Sequence, residues 1–273
     1  MFYRRPAVVI SALTTILTTV VVSVATLQSA IAVEPRSVEV DGTEFKVTLS
    51  DGHTLRSAEL VGATLTIGTS GGLVRLRIDA VERDPDAKNQ PVWLHSLSTE
   101  APDGAFHNLC EAGPDGRRQG FPLAFKPGPD GAFEPPEASL FELVCTAGAR
   151  GKCVRFGYLP WASEAMREVY NACVRMVRAD YCGEGEGTTR NGTLIDYYDA
   201  ADIEQPGHDP RFEFEAGWPA SGAVCVHHVR IKENTSLERL ADSCPRLHGR
   251  LGKNCTEENA RALDATVFVR SLP

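Results

Sequence analysis

No Cys-x-x-Cys pair occurs in this 273-residue chain. That absence removes the close ligand pairs of a structural zinc site and the dithiol of a thioredoxin-like redox motif. Basic side chains are scarce, with 28 Lys and Arg against 36 Asp and Glu and a formal net charge of −8. A nucleic-acid partner needs clustered cations against its phosphates, so none is expected, and the acidic balance points to solubility. After Leu27 there is no second apolar run of the roughly 20 residues that a membrane span requires. The acidic loops lack the alternating ligand positions and closing Glu of a calcium site, so neither a metal nor another cofactor is expected.

What is present begins with a leader. Met1 to Ala32 carries Arg4 and Arg5, an apolar stretch from Ala7 to about Leu27, and Ala30-Ile31-Ala32, the small-x-small pattern of a cleavage site. The expectation is a signal peptide over 1–32, cut after Ala32, that delivers the chain to the periplasm or beyond and leaves no stable membrane span. The alternative is the same stretch kept as an N-terminal membrane anchor. Removing Arg4 and Arg5 moves the net charge to about −10.

All eight cysteines follow the leader: Cys110, Cys145, Cys153, Cys173, Cys182, Cys225, Cys244 and Cys255. An even number in an exported chain reads as a set of disulfides, with about 105 pairings open. Short separations make Cys244 with Cys255, and either Cys145 or Cys153 with Cys173, the first expectations. Cys173 and Cys182 should not bond each other, because nine helical residues hold them about 13 Å apart against a limit of roughly 7 Å.

The helix in question runs from Ser163. Met166, Val169, Tyr170, Cys173, Met176 and Val177 recur at three- and four-residue steps, while Glu164, Arg167, Glu168, Asn171, Arg175 and Arg178 fall on other faces. Ser163 suits the N-cap, the helix should stop near Ala179, and Gly183 should supply the turn. Asp180 stands where the helix dipole disfavours a carboxylate, so it needs a local partner, Arg175 or Arg178, or else a catalytic reason.

Residues 33–104 read as a β-meander with one wet face, in which Val74, Leu76, Ile78 and Ala80 point one way. Residues 105–273 form a cysteine-rich module. Three Pro-Asp-Gly tripeptides mark surface turns, and Ser139 to Cys145 with Cys153 to Tyr158 should form a hairpin about Gly148 and Gly151. Further strands are expected over 194–198, 212–218, 224–226 and 265–272, with a capping box at Thr235 opening a short helix. The fold class is α+β and rich in β structure, built round one central amphipathic helix.

The run Arg178-Ala179-Asp180-Tyr181-Cys182-Gly183-Glu184-Gly185, with Gly151-Lys152-Cys153, Gly157-Tyr158-Leu159-Pro160-Trp161 and Gly192-Thr193-Leu194-Ile195-Asp196, resembles the bacterial ADYC-domain family over roughly residues 105–265. The resemblance implies an exported protein of a family with no assigned activity, and it carries over no catalytic residue. A bacterial setting would leave the glycan acceptor patterns at Asn191, Asn234 and Asn254 bare.

Two functional readings follow. Trp161, Tyr181, Tyr197 and Tyr198 offer aromatic faces for a glycan or another envelope component, which would make the chain a non-catalytic binding or envelope-associated module. Alternatively, Asp180, Asp196, Asp199 and His208 would form the acid/base cluster of a secreted hydrolase. His227 and His228, adjacent on one strand, would face opposite ways, so at most one could join such a cluster. No specific catalytic motif supports the cluster, which weighs against an enzyme.

Overall fold

The computed structural model describes residues 34–273 except 89, 125, 129–130 and 136–139. The leader over 1–32 and its cleavage point lie outside the described residues. Strands β1 (Pro35–Asp41), β2 (Glu44–Leu49) and β3 (Thr54–Arg56) pair antiparallel in that order. Phe45 and Val47 of β2 turn into the core, whereas Glu44, Lys46 and Thr48 keep contact with solvent, as period-two alternation requires.

A larger antiparallel sheet takes β4 (Thr64–Thr69), β5 (Gly72–Arg83), β6 (Trp93–Glu100), β7 (Phe106–Asn108) and β8 (Gly120–Ala124). A small pair, β9 (Lys126–Pro127) with β10 (Phe133–Glu134), intervenes before β11 (Phe141–Cys145) closes the sheet. The order is β11-β8-β6-β5-β4 with β7 beside β6, so strands from both sides of residue 104 share one sheet. The alternation expected to carry Ala80 inward breaks. The register against β6 shifts between Ile78 and Ala80, leaving Leu76 and Ile78 buried and Ala80 exposed. One inserted residue moves everything after it to the other face. Phe45, Val47, Leu60, Leu76, Ile78 and Leu97 form the core between this sheet and the first.

The hairpin expected about Gly148 and Gly151 is replaced by a helix, α1 (Ala149–Arg155), which follows β11. Gly151 is not a turn residue. A Cβ there would lie 2.3 Å from the Cys145 carbonyl oxygen, so the glycine lets α1 approach the end of β11.

The central helix is α2 (Glu164–Arg178), the one long helix among the described residues. Ser163 caps it, its hydroxyl accepting from the Met166 N–H at 3.1 Å. Val169, Tyr170, Cys173 and Met176 are buried as the stripe predicts, but so are Asn171 and Arg175, which the periodicity placed on other faces. Asn171 is buried because its amide exchanges two hydrogen bonds with the Phe133 backbone, at 2.7 and 3.2 Å, and so fastens β10 to the helix.

Beyond α2 come β12 (Ile195–Asp199), β13 (Glu213–Trp218), β14 (Cys225–Val226), α3 (Leu237–Ser243), α4 (Glu257–Ala262) and β15 (Val267–Ser271). The capping position of α3 is Ser236, one residue after the Thr235 expected, with its hydroxyl accepting from the Arg239 N–H. The four strands make an antiparallel sheet ordered β12-β15-β13-β14. Val267 and Val269 join the core of α2, while Phe268 between them joins a second core with Ala260 of α4 on the opposite face. Leu94, Phe121 and Leu123 of the larger sheet belong to the same core as the α2 stripe and Val267, so α2 lies between two sheets. The protein is a β-rich α+β fold.

All eight cysteines are bridged: Cys110–Cys145, Cys153–Cys173, Cys182–Cys244 and Cys225–Cys255. Cys173 takes Cys153, one of its two expected partners, and does not bond Cys182. The expected Cys244–Cys255 bridge is not formed. Cys244 follows α3 back to Cys182 in the turn after α2, whereas Cys255 reaches β14, so eleven residues of separation misled. Four disulfides fit an extracytoplasmic protein. Among the described residues no helix is long and apolar enough to cross a membrane.

Candidate functional site

The turn after α2 is built from four consecutive residues with separate tasks. Ala179 ends the helix itself, in the left-handed region at φ 50°, where the sequence had assigned the turn to Gly183. Asp180 is fully buried. Its carboxylate accepts from Arg175 Nη1 at 2.6 Å and from the N–H groups of Gly183, Glu184 and Gly185 at 3.0, 3.2 and 2.9 Å. Gly183 is required for a different reason, since a Cβ there would lie 1.9 Å from the Ser221 carbonyl oxygen.

Tyr181 stacks on Trp218 with ring centroids 5.2 Å apart. Its hydroxyl donates to Glu215 Oε1 and accepts from the Arg230 N–H, both at 2.9 Å. Burial pushes this phenol well above its ordinary range, with the Glu215 carboxylate adding to the rise, so it stays neutral. Arg230, paired with Glu215, also donates to the carbonyls of Met176 and Val177, which satisfies the end of α2. Cys182 bonds Cys244, and Arg246 donates to the Tyr181 and Cys182 carbonyls. Tyr181 and Cys182 thus join the end of α2 to β13 and to the end of α3, while Asp180 holds the turn itself.

Asp199 repeats the Asp180 arrangement at the end of β12. It accepts from the Tyr158 hydroxyl at 2.9 Å and from the N–H groups of Ala201, Ile203 and Glu204. Burial, then this carboxylate, raises the Tyr158 phenol far above its usual range. Asp196, three residues earlier and so on the other face of β12, accepts from the Gly207 N–H at 2.9 Å. His208 is exposed. Among the described residues the four named for a hydrolase share no hydrogen-bond partner, and none lines the cleft between α1 and the end of α2. His227 and His228 meet different partners, the Cys255 carbonyl and the Ser271 hydroxyl. Among the described residues no group of three His, Cys, Asp or Glu could hold a metal ion.

The aromatic candidates are largely core. Tyr181 and Tyr198 are buried, and Tyr198 stacks on Phe268 while donating to Glu257. Tyr197 stacks on Phe156 with centroids 4.1 Å apart, and Trp161, half-buried, packs over Gly42.

The space that could accept a ligand lies beside the turn. A cleft of about 730 Å³ opens between α1, the end of α2 and the loop 186–195, within the size range of small-molecule sites. Phe156, Val177, Leu194 and Ile195 give it an apolar wall, and Lys152, Arg178 and Arg190 stand among its polar residues. Sequence reading missed this site because its parts come from segments read separately as a hairpin, a turn and a strand. Lys152, Arg178 and the 192–196 run had been singled out in the family resemblance, but in separate stretches of the chain.

A model of the ADYC domain matches residues 57–232 of the chain. The match begins at Ser57, in the N-terminal strands, and ends at Lys232, before α3. Neither the curated proteins nor the solved structures gave a match. A domain match that spans well over half of the sequence and includes the turn from Ala179 to Cys182 places the chain in the ADYC domain family.

Proposed function

We propose that the protein is an exported, non-catalytic binding module, cut after Ala32 and held rigid by its disulfides, with the cleft beside the ADYC turn as its ligand site. The observation that carries this reading is how the carboxylates are used. Asp180 and Asp199 each accept three backbone amides and one side-chain donor, so both are occupied in holding loops. General acid/base work needs groups within hydrogen-bond reach of one substrate atom, and the open cleft contains neither of them. An envelope component remains the partner class that export favours.

The test is amide NMR of the disulfide-intact exported chain, titrated with a panel of small molecules of varied charge and polarity, with the mixtures assayed for product. Saturable shifts in residues 147–156 and 186–195 without turnover support the proposal. Shifts centred on Asp196, Asp199 and His208 accompanied by hydrolysis would overturn it in favour of the hydrolase.

A further inference from the structure

The cleft is lined by both apolar and cationic side chains, and together they narrow what it can hold. Among the apolar ones Leu194 is 67% exposed, a large aliphatic side chain with little cover. With them stand five cations, Lys152, Arg155, Arg178, Arg190 and Arg230, against Asp115 and Glu186. Most of these cations are already occupied. Arg230 pairs with buried Glu215, Arg155 grips Asp84 at 2.6 Å, Arg178 donates to the Gly185 carbonyl, and Arg190 reaches Glu233 at 3.6 Å.

Lys152 is different. Half-buried on α1, it makes no ion pair or side-chain hydrogen bond among the described residues. Burial lowers its pKa, and Asp115, whose carboxylate is shared with Arg117 and Arg155, offsets this only in part. Withdrawing an ammonium from water without a partner is unfavourable, and an incoming anion would relieve that cost. In a chain whose overall charge is −8, a local cationic recess is also what an anion would need in order to approach.

We propose that the cleft binds an organic anion, a carboxylate or phosphate on an apolar body, with its charged end at Lys152 and its body along Phe156, Val177, Leu194 and Ile195. This rests on the cleft being the ligand site, and it adds the chemical class of the ligand. The shared chemistry could be presented by a free amphiphile or by a lipid headgroup, and a cleft of about 730 Å³ with apolar residues in its lining, which can take the body as well as the charged end, favours the free form.

Calorimetry on the disulfide-intact protein tests it with probes of one chain length kept below their micelle concentrations: decanoate, decyl phosphate, decyltrimethylammonium and neutral 1,2-decanediol, with acetate and phosphatidylglycerol vesicles as controls. The expected result is that decanoate or decyl phosphate binds at least tenfold more tightly than the cationic and neutral probes, with acetate weaker still. Lys152→Met should weaken the anion at least tenfold and leave the neutral probe unchanged, and Lys152→Arg should restore most of the loss. Leu194→Glu, at an exposed position that folding does not depend on, should weaken the anionic probes as well.

Equal or tighter binding of the cation or the diol would overturn the anion proposal, and binding to the vesicles alone would overturn the free form in favour of a lipid headgroup. If that binding were still lost in Leu194→Glu, the cleft would stand as the ligand site. Failure of every probe to bind would count against both.

Discussion

At Asp180, and again at Asp199, a carboxylate with almost no access to water gathers three backbone amides and one side-chain donor. Removing such an acceptor leaves buried donors unsatisfied, and breaking a buried ion pair costs about 3–5 kcal/mol. Asp180→Ala should therefore lower stability in urea unfolding by that amount, whereas His208→Ala on the exposed loop should stay within about 0.5 kcal/mol. Similar small effects from both would mean that Asp180 does not hold the turn. The need for a local partner at Asp180 was legible from helix-dipole reasoning, and Arg175 was one of the two named. The equivalent role of Asp199 was not legible, because its donors, Tyr158 and the 201–204 amides, come together only in the fold.

His95 makes a second residue-scale case. It is fully buried on β6, with Nε2 2.7 Å from the Ser57 hydroxyl, which also accepts from the Phe45 N–H. Burial lowers its pKa from 6.5 to about 4. The folded chain then holds fewer protons than the unfolded chain between these values, so stability falls as pH falls through that window and is fully kept above it. The loss reaches about 3 kcal/mol near the lower end. His95→Gln, whose amide can either donate to or accept from the Ser57 hydroxyl, should flatten urea-unfolding stability between about pH 7 and pH 4.5 relative to the wild type. A wild-type slope no steeper than that of the variant would rule His95 out as the cause.

At the level of elements, α2 and most strands were readable because their side chains repeat at 3.6 or at 2, a period that burial follows in β2, although α2 is covered all round from Val169 to Met176 and β15 on both faces. The failures have one kind of cause. α1 carries a glycine that local reading assigns to a turn, yet Gly151 is there to clear the Cys145 carbonyl, a contact made by β11. The inserted residue near Ala80 and the buried face of Asn171 likewise depend on a neighbouring element, β6 or β10. Gly151→Ala separates the two readings. Helix propensity alone favours the alanine by about 1 kcal/mol, whereas a Cβ driven into backbone costs about 1–3 kcal/mol. Net destabilisation is expected in thermal unfolding, and a rise in Tm would show that α1 has room to move.

Across the whole molecule, one bridge of the four, Cys182–Cys244, ties the last third of the chain to the middle. Cys182–Cys244 closes 62 residues and Cys153–Cys173 only 20. Cys153 was one of the two partners expected for Cys173, but the Cys182–Cys244 and Cys225–Cys255 pairings were beyond the sequence, since they depend on where α3 and β14 return. Chain entropy alone ranks the longer loop higher, at about 4 kcal/mol against about 3. Packing argues the other way. Cys153 and Cys173 are both fully buried in the core that joins α1 to α2, whereas Cys182 is partly exposed. Replacing both core sulfurs with alanine opens space that close-packed neighbours fill only in part, adding about 1 kcal/mol or more. The double variant Cys153→Ala with Cys173→Ala should therefore lose at least as much stability, under non-reducing conditions, as Cys182→Ala with Cys244→Ala. The reverse order by more than about 1 kcal/mol would mean that loop closure outweighs the packing of α1 against α2. In that case the cleft between those helices and the loop 186–195 would owe its shape to the bridge beside the ADYC turn.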